Sequence, residues 1–353
     1  MYVYIGMYLY GLVCASSILF SSKGFKYSSI IFSFFILLII SFRYYTGTDY
    51  GTYIKIWNTI PVFFSGHDFH ETYNNIEIGY KIFFSLVKYI DDGDRIYIFF
   101  NALLSIGITY LGLARFSKRI KINLFFSFFI YLCVFMIPYA FNAMRQSITM
   151  ALFVYSISDF IDRKHFKVFL LSIFAYFFHS SGILIFCSYV VFLYITVNQW
   201  LFFVTIVSCL VLSVFNPFIE YLKIIDPRTF ALFQDRWAEG DYKSILIRLL
   251  IVVYLNYILK YIVDDKKKIV VGLFTVYISG FFVYCLFFGV SSMMAARLNM
   301  FFRVIEIIIF PLFISYNVNS LSKVISFLFF ILISTVYFIS SILLPDNYYN
   351  FYF

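Results

Sequence analysis

Long runs of apolar residues, each about as long as a membrane span, follow one another along this chain with short polar interruptions. About twenty consecutive apolar residues are needed to cross the hydrocarbon core of a bilayer. The pattern predicts about twelve helical spans, give or take two. They cover residues 3–22, 27–45, 96–116, 122–140, 143–161, 168–179, 182–197, 200–221, 245–262, 269–289, 298–315 and 324–344.

The segment 168–197 admits two interpretations. It is either one long helix or two short halves that break at the sequence His-Ser-Ser-Gly, residues 179–182. Gly182 and the two serines permit a break, which is tolerated at membrane depth only where it faces protein or a cavity.

Clusters of lysine and arginine occur in alternate loops between the spans. The clusters are Lys23/Lys26, Lys118/Arg119/Lys121, Arg163/Lys164/Lys167, Lys266/Lys267/Lys268 and Lys323. All of them fall on one side if the spans alternate, and the positive-inside rule assigns that side to the cytoplasm. Both termini and the two long loops, about 46–95 and 222–244, are then expected on the periplasmic side.

Within the first long loop, residues 77–90 carry apolar side chains at helical spacing and two lysines, Lys81 and Lys88. The segment is short for a span and has a polar edge, so we expect an amphipathic helix in the outer membrane interface. No internal repeat and no change in composition divides the chain, which predicts a single transmembrane domain over residues 1–353.

The composition excludes a soluble protein. Hydrophobic residues make up 63% of the chain and charged residues 13%, with a mean hydropathy of +0.90, whereas soluble domains are about half apolar and a quarter charged. We therefore expect an all-α polytopic integral membrane protein that has the lipid bilayer as its solvent. The net charge of +9 is explained first by topology, so nucleic acid is not expected as a partner.

A second set of arginines lies at or near the outer ends of spans, where the positive-inside rule does not explain them. The set is Arg43, Arg145, Arg228, Arg236, Arg297 and Arg303. An ionisable group at membrane depth is costly and marks a functional site by default. Because guanidinium groups bind phosphate oxygens through two hydrogen bonds and keep their charge, an outward cavity lined by arginines suits a lipid-linked pyrophosphate.

Several of these residues also have a structural interpretation. Arg228 and Arg236 lie in a loop rich in acidic residues and can pair there. Arg303 and Glu306 are three residues apart on one helical face and can form an internal ion pair.

Asp49 can pair with Arg43 or cap its loop, instead of acting as a base. His179 can be a satisfied hydrogen-bonding group, a donor to phosphate or a general base.

The sequence contains no signature of metal or nucleotide chemistry. The sequence HDFHE at residues 67–71 lies in a loop and lacks the helical spacing that a zinc site of this type needs. No phosphate-binding glycine loop and no GxSxG motif is present. We expect no metal and no cofactor.

Short motifs occur in a fixed order that covers most of the chain. They are Arg-x3-Gly-x-Asp-Tyr-x2-Tyr (Arg43, Gly47, Asp49, Tyr50, Tyr53), Ile-Glu-x-Gly-Tyr (Glu77, Gly79, Tyr80), Arg145-Gln146, Phe-His-x-Ser (Phe178, His179, Ser181) and Arg-x3-Phe-Phe before a late proline (Arg297, Phe301, Phe302, Pro311). This succession resembles the EpsG family of polysaccharide polymerases, which are Wzy-like O-antigen polymerases. The sequence departs from the family pattern where Ser-Ser-Gly follows the histidine in place of a small residue and an alanine.

The resemblance implies a metal-independent and nucleotide-free glycosyltransferase of the bacterial inner membrane, with its active site facing the periplasm. It would transfer the growing glycan from undecaprenyl diphosphate to the non-reducing end of an incoming undecaprenyl-diphosphate-linked repeat unit. A flippase and a chain-length regulator of the same pathway are its expected partners.

Fixed cations stabilise the charge that a diphosphate leaving group gains as the glycosidic bond breaks. The predicted catalytic residues are the clamps Arg145 and Arg297 and the candidate bases Asp49 and His179. The predicted substrate-binding residues are Arg145 and Arg297 again, with Arg43, Arg303, Tyr50, Tyr53 and Glu77. We expect the glycines at 47 and 51 to let the loop turn tightly.

Three other functions compete with the polymerase. An O-antigen ligase needs the same grip on the diphosphate, and only the motif order favours a polymerase over it. A lipid-linked glycan flippase would need a cavity open to both sides, whereas the unexplained arginines cluster at outer ends and no transporter-type repeat is present. A membrane acyltransferase would need a histidine in an early span, and the early spans have none.

Overall fold

The computed structural model describes residues 2–20, 26–62, 76–214, 242–288 and 292–350, and these residues are almost entirely helical. The helices are α1 (Tyr2–Ala15), α2 (Lys26–Ser41), α3 (Tyr50–Thr59), α4 (Ile78–Ile90), α5 (Asp94–Ser117), α6 (Leu124–Ile130), α7 (Met144–Ile161), α8 (His165–Phe178), α9 (Ile183–Tyr194), α10 (Gln199–Val214), α11 (Tyr242–Ile258), α12 (Asp264–Phe288), α13 (Ser292–Arg303), α14 (Glu306–Ser315) and α15 (Ser320–Ile342). Within these ranges the extended contacts amount to one isolated bridge between Ile262 and Asn317.

The chain is a multi-pass membrane protein, as its apolar helices indicate. In the described part, six helices are long and apolar enough to cross a membrane, or seven if the bent pair α13 and α14 counts as one span. Four further apolar helices are shorter: α2, α8, α9 and α10. The count of twelve spans and the placement of both termini in the periplasm therefore stay predictions.

The centre of the bundle is formed by α6 and α14, in which every residue is buried except Ser315 at the end of α14. Helix α6 continues as a π-helix from Tyr131 to Asn142 with Pro138 inside it. Proline lacks a backbone N–H and disturbs the regular hydrogen-bond ladder, and π segments are frequent at functional sites. The π segment ends at Asn142, three residues before Arg145.

The segment 168–197 consists of two halves, since α8 and α9 are separated by a 3₁₀ turn from Ser180 to Gly182. The halves run antiparallel: Ser172 Oγ donates to the carbonyl of Gly182 at 2.8 Å, and Tyr189 OH lies 2.8 Å from Nδ1 of His165. A Cβ on Gly182 would lie 2.2 Å from the backbone nitrogen of Tyr176. Glycine is therefore required for the tight reversal that carries His179.

Two of the cationic loops that the sequence analysis identified, 118–121 and 163–167, meet at one end of the bundle. The guanidinium of Arg115 binds the fully buried carboxylate of Asp159 through two hydrogen bonds, and Lys167 lies 3.4 Å from the same carboxylate. Arg119 pairs with Asp162 in the loop after α7. In α7, Arg145 and Asp159 are fourteen residues apart, so about 21 Å separates this end of the bundle from Arg145.

The amphipathic helix predicted near 77–90 is present as α4, and its position in the membrane interface stays a prediction. The first long loop contains a second helix, α3, which the sequence analysis missed. Most of the second long loop, 222–244, lies outside the described residues, as do Arg228, Arg236 and the HDFHE segment.

Candidate functional site

Arg145 lies in the first turn of α7 and pairs with the carboxylate of Glu77, the residue that precedes α4. The backbone N–H groups of a first helical turn have no partner inside the helix. The hydroxyl of Tyr53 accepts a hydrogen bond from the backbone N–H of Arg145 at 3.4 Å. The other carboxylate oxygen of Glu77 accepts from the backbone N–H of Ser180 at 3.1 Å, at the start of the turn between α8 and α9. Glu77 thus links α4, α7 and the α8–α9 turn.

His179 is the residue before that turn, and its ring folds back over it. Its Nδ1 accepts from the backbone N–H of Ser181 at 3.1 Å and lies 2.8 Å from the hydroxyl of the same residue. Burial lowers the pKa of His179 from 6.5 to about 4; nearby Glu77 opposes this shift, while Arg145 and Arg297 add to it. The imidazole is therefore neutral at physiological pH.

The loop between α2 and α3 is built over a buried guanidinium. Arg43 is 1% exposed, donates to the carbonyl of Thr46 at 3.1 Å and stacks on the ring of Phe141, 4.6 Å from its centroid. Its Nε and second Nη have no hydrogen-bond partner in the described part of the chain. Arg43 therefore stabilises the loop from its buried side and does not line an open surface.

Gly47 gives this loop its shape. Its φ of +104° lies in the region that favours glycine, and a Cβ there would lie 2.5 Å from the side-chain oxygen of Asn142. That same oxygen accepts from the backbone N–H of Thr48 at 2.9 Å. Gly51, expected to assist the turn, instead lies inside α3 with open space around it, so the turn does not depend on it.

The loop brings Asp49 to Arg297, which lies on α13. A carboxylate oxygen of Asp49 is 4.0 Å from a guanidinium nitrogen of Arg297, and the two side chains are 34% and 50% exposed. The side-chain amide of Gln146 donates to the backbone carbonyl of Arg297 at 2.9 Å, which ties α13 to the start of α7. The sequence left open whether Asp49 pairs with Arg43. In the structure, Asp49 approaches Arg297. Both side chains are accessible to a ligand.

The two tyrosines among the predicted substrate-binding residues are buried. Tyr50 is 1% exposed and lies under Arg43, and Tyr53 is 5% exposed and holds the backbone of Arg145. The rings that do reach the surface beside them are Tyr44 and Tyr45, at 38% and 57% exposed.

Arg303 is buried in the interior, at the end of the helix that also carries Arg297. It forms two hydrogen bonds to Glu306, at 2.6 and 3.1 Å, and both residues are buried. Tyr277 OH donates to the same carboxylate at 2.9 Å, and the guanidinium lies over the ring of Tyr337. The internal ion pair that the sequence left open is present.

Arg248 on α11 is a candidate that the sequence analysis missed. Its side chain is buried, donates to the side chain of Asn299 at 2.9 Å and to the carbonyl of Ser244 at 2.8 Å, and stacks on Tyr284. The available signal was a cation within the apolar run ILIRLLIVV with no acidic residue beside it.

Asp49, Glu77, Arg145, His179 and Arg297 therefore form one polar cluster, called the outer cluster below. It lies at the end of the bundle opposite the lysine-rich loops. Among the described residues, no group of three or more His, Cys, Asp or Glu side chains could hold a metal ion.

A comparison with protein families matches the EpsG family model to residues 26–353. The chain belongs to the EpsG family. This confirms the resemblance inferred from the order of the motifs and is consistent with a role in polysaccharide biosynthesis. No curated protein and no solved structure matches the chain. All residues of the outer cluster lie within the matched range, so the EpsG family model covers the whole site.

Proposed function

We propose that this EpsG family protein is a repeat-unit polymerase of the bacterial inner membrane. It transfers the growing glycan from undecaprenyl diphosphate to the non-reducing end of an incoming lipid-linked repeat unit at the periplasmic face. The observation that carries the proposal is the convergence of Arg145 and Arg297 with Asp49 and His179 at the end opposite the lysine-rich loops.

The transfer needs a group that stabilises the leaving diphosphate and, next to it, a group that accepts the proton of the attacking hydroxyl. A hydroxyl of the incoming unit attacks the anomeric carbon of the growing glycan, the bond from that carbon to the phosphate oxygen breaks, and the leaving diphosphate takes the electron pair. Arg145 and Arg297 stabilise the charge that develops there. The proton of the attacking hydroxyl passes to a carboxylate, and Asp49 beside Arg297 is the accessible candidate.

The remaining residues have supporting roles in this proposal. Glu77 and Tyr53 hold Arg145, and Arg43 with Tyr50 holds the loop that carries Asp49. The exposed rings of Tyr44 and Tyr45 are the available faces for sugar beside the loop.

The test compares surface glycan in cells that lack the gene and express Arg145→Ala, Arg297→Ala or the wild-type protein. We expect both variants to insert into the membrane and to leave single repeat units where wild type gives a ladder. The lysine variants should fail as well, because an ammonium cannot grip two phosphate oxygens in the planar geometry of a guanidinium.

Arg119→Ala is the matched control, since it removes an arginine from the opposite end. It breaks a partly exposed ion pair with Asp162, worth about 0–1 kcal/mol, and a hydrogen bond to the carbonyl of Arg115. A full ladder in both site variants would contradict the proposal. Loss of all surface units in the deletion strain would favour the flippase or the ligase, and the membrane side on which the lipid-linked unit accumulates would separate those two.

A further inference from the structure

The hydrogen bonds of the α8–α9 turn determine which nitrogen of His179 carries the proton. A backbone N–H can only donate, so the Nδ1 that accepts from Ser181 N–H at 3.1 Å presents a lone pair. A neutral imidazole carries one proton, which must then be on Nε2. The imidazolium would place a second N–H on Nδ1, directly against the N–H of Ser181.

The charges around the ring also favour this neutral form. The charged groups that act on His179 are Glu77 before α4, Arg145 on α7 and Arg297 on α13. Glu77 is already bound to Arg145 and to the N–H of Ser180, and the two arginines repel a third cation. Taking up a second proton would thus require breaking the Ser181 hydrogen bond and adding a positive charge near two others.

We propose that His179 is a hydrogen-bond donor to the diphosphate through Nε2–H and not a general base, which leaves Asp49 as the acceptor of the hydroxyl proton. This inference rests on the proposed polymerase function and specifies the roles within its site. As the bond to the anomeric carbon breaks, negative charge builds on the phosphate oxygens. The neutral N–H then strengthens its hydrogen bond there without opposing either arginine.

The experiment uses the purified full-length protein and a lipid-linked repeat unit, and follows the transfer rate for wild type, His179→Ala, His179→Gln and His179→Asn. The glutamine amide places an N–H donor near the position of Nε2, whereas the asparagine amide reaches only the position of Nδ1. For a donor, we expect alanine to lose about 10²–10³ in rate. Glutamine should recover at least tenfold of that loss, and asparagine should recover none.

The dependence of the rate on pH gives a second readout that a purely structural role would not move. For a donor, the acid side of the profile has the same shape in wild type and His179→Gln. For a base, the acid-side loss of rate is present in wild type and is absent from the glutamine variant.

A glutamine variant as slow as alanine, in protein that melts at the wild-type temperature, would overturn the donor role. An absence of transfer by the wild-type protein itself would instead overturn the proposed polymerase. The two failures are therefore distinguishable within one set of measurements.

Discussion

Glu77 and Arg145 form an ion pair between residues that are 68 positions apart in the sequence, and Glu77 also holds the N–H of Ser180. Replacing Glu77 by glutamine keeps an oxygen for Ser180 but removes the charge that orients Arg145. Replacing it by alanine removes both. We expect both variants to shorten the glycan ladder, and alanine alone to lower stability, by about 1–3 kcal/mol. Melting of the purified protein in detergent, beside gels of surface glycan, measures the two effects separately; an unchanged ladder in Glu77→Ala would contradict this account.

Variants of the Arg303–Glu306 pair test whether Arg303 has a structural or a substrate-binding role. Both side chains are almost completely buried, so removing one partner leaves an uncompensated charge and should cost about 3–5 kcal/mol. We expect Arg303→Met and Glu306→Leu each to reduce the yield of folded protein, and the double variant to restore most of it. A double variant that folds and still makes polymer confirms the structural role. A double variant that folds and makes none would contradict a purely structural role for the pair.

Two glycines of the same loop should respond in opposite ways to alanine. Gly47 adopts a positive φ and lies against Asn142, so Gly47→Ala should cost about 1–2 kcal/mol and displace Asp49. Gly51 lies in α3, and a Cβ added there would have no atom within 4 Å, so Gly51→Ala should be neutral or stabilise by up to about 1 kcal/mol. Melting temperatures and glycan ladders of the two variants test this, and equal behaviour would contradict the geometry of the loop.

The neutral imidazole of His179 predicts a dependence of stability on pH. The pKa of His179 is lowered from 6.5 to about 4 in the folded protein, so between these values the unfolded chain binds more protons. Its contribution to stability is complete above pH 6.5 and is lost as the pH falls toward 4, by about 1.4 kcal/mol per unit. Melting temperatures over this range should fall more steeply for wild type than for His179→Gln. Parallel curves would show that the ring is not neutral in the fold.

The sequence predicted the helices well wherever apolar length alone decides them. Helices α5, α12 and α15 lie within a few residues of their predicted positions, because a long apolar run has no other stable conformation in lipid. Helix α3 was missed because its sequence, YGTYIKIWNT, is short and mixes polar with aromatic residues. Its helical face becomes evident only through the burial of Tyr50, Tyr53 and Trp57.

The identity of the outer-cluster residues could be predicted, but their pairing could not. Arg145 and Arg297 stood out because a cation in an apolar segment is costly. The partners are set by tertiary structure: Asp49 approaches Arg297 from the far end of the chain, and Glu77 approaches the α8–α9 turn. Arg248 could have been found by the same rule as Arg145, whereas the burial of Arg43 under its loop left no trace in the sequence.

The first and last described helices run side by side in opposite directions. Tyr4 OH donates to the carbonyl of Asn347 at 2.9 Å, and Tyr8 OH lies 2.6 Å from the hydroxyl of Thr335. A path that leaves Tyr4 and returns to Asn347 crosses any plane between the two ends of the bundle an even number of times. We therefore predict that the chain crosses the membrane an even number of times between Tyr4 and Asn347. Reporter enzymes fused near either residue should give the same compartment.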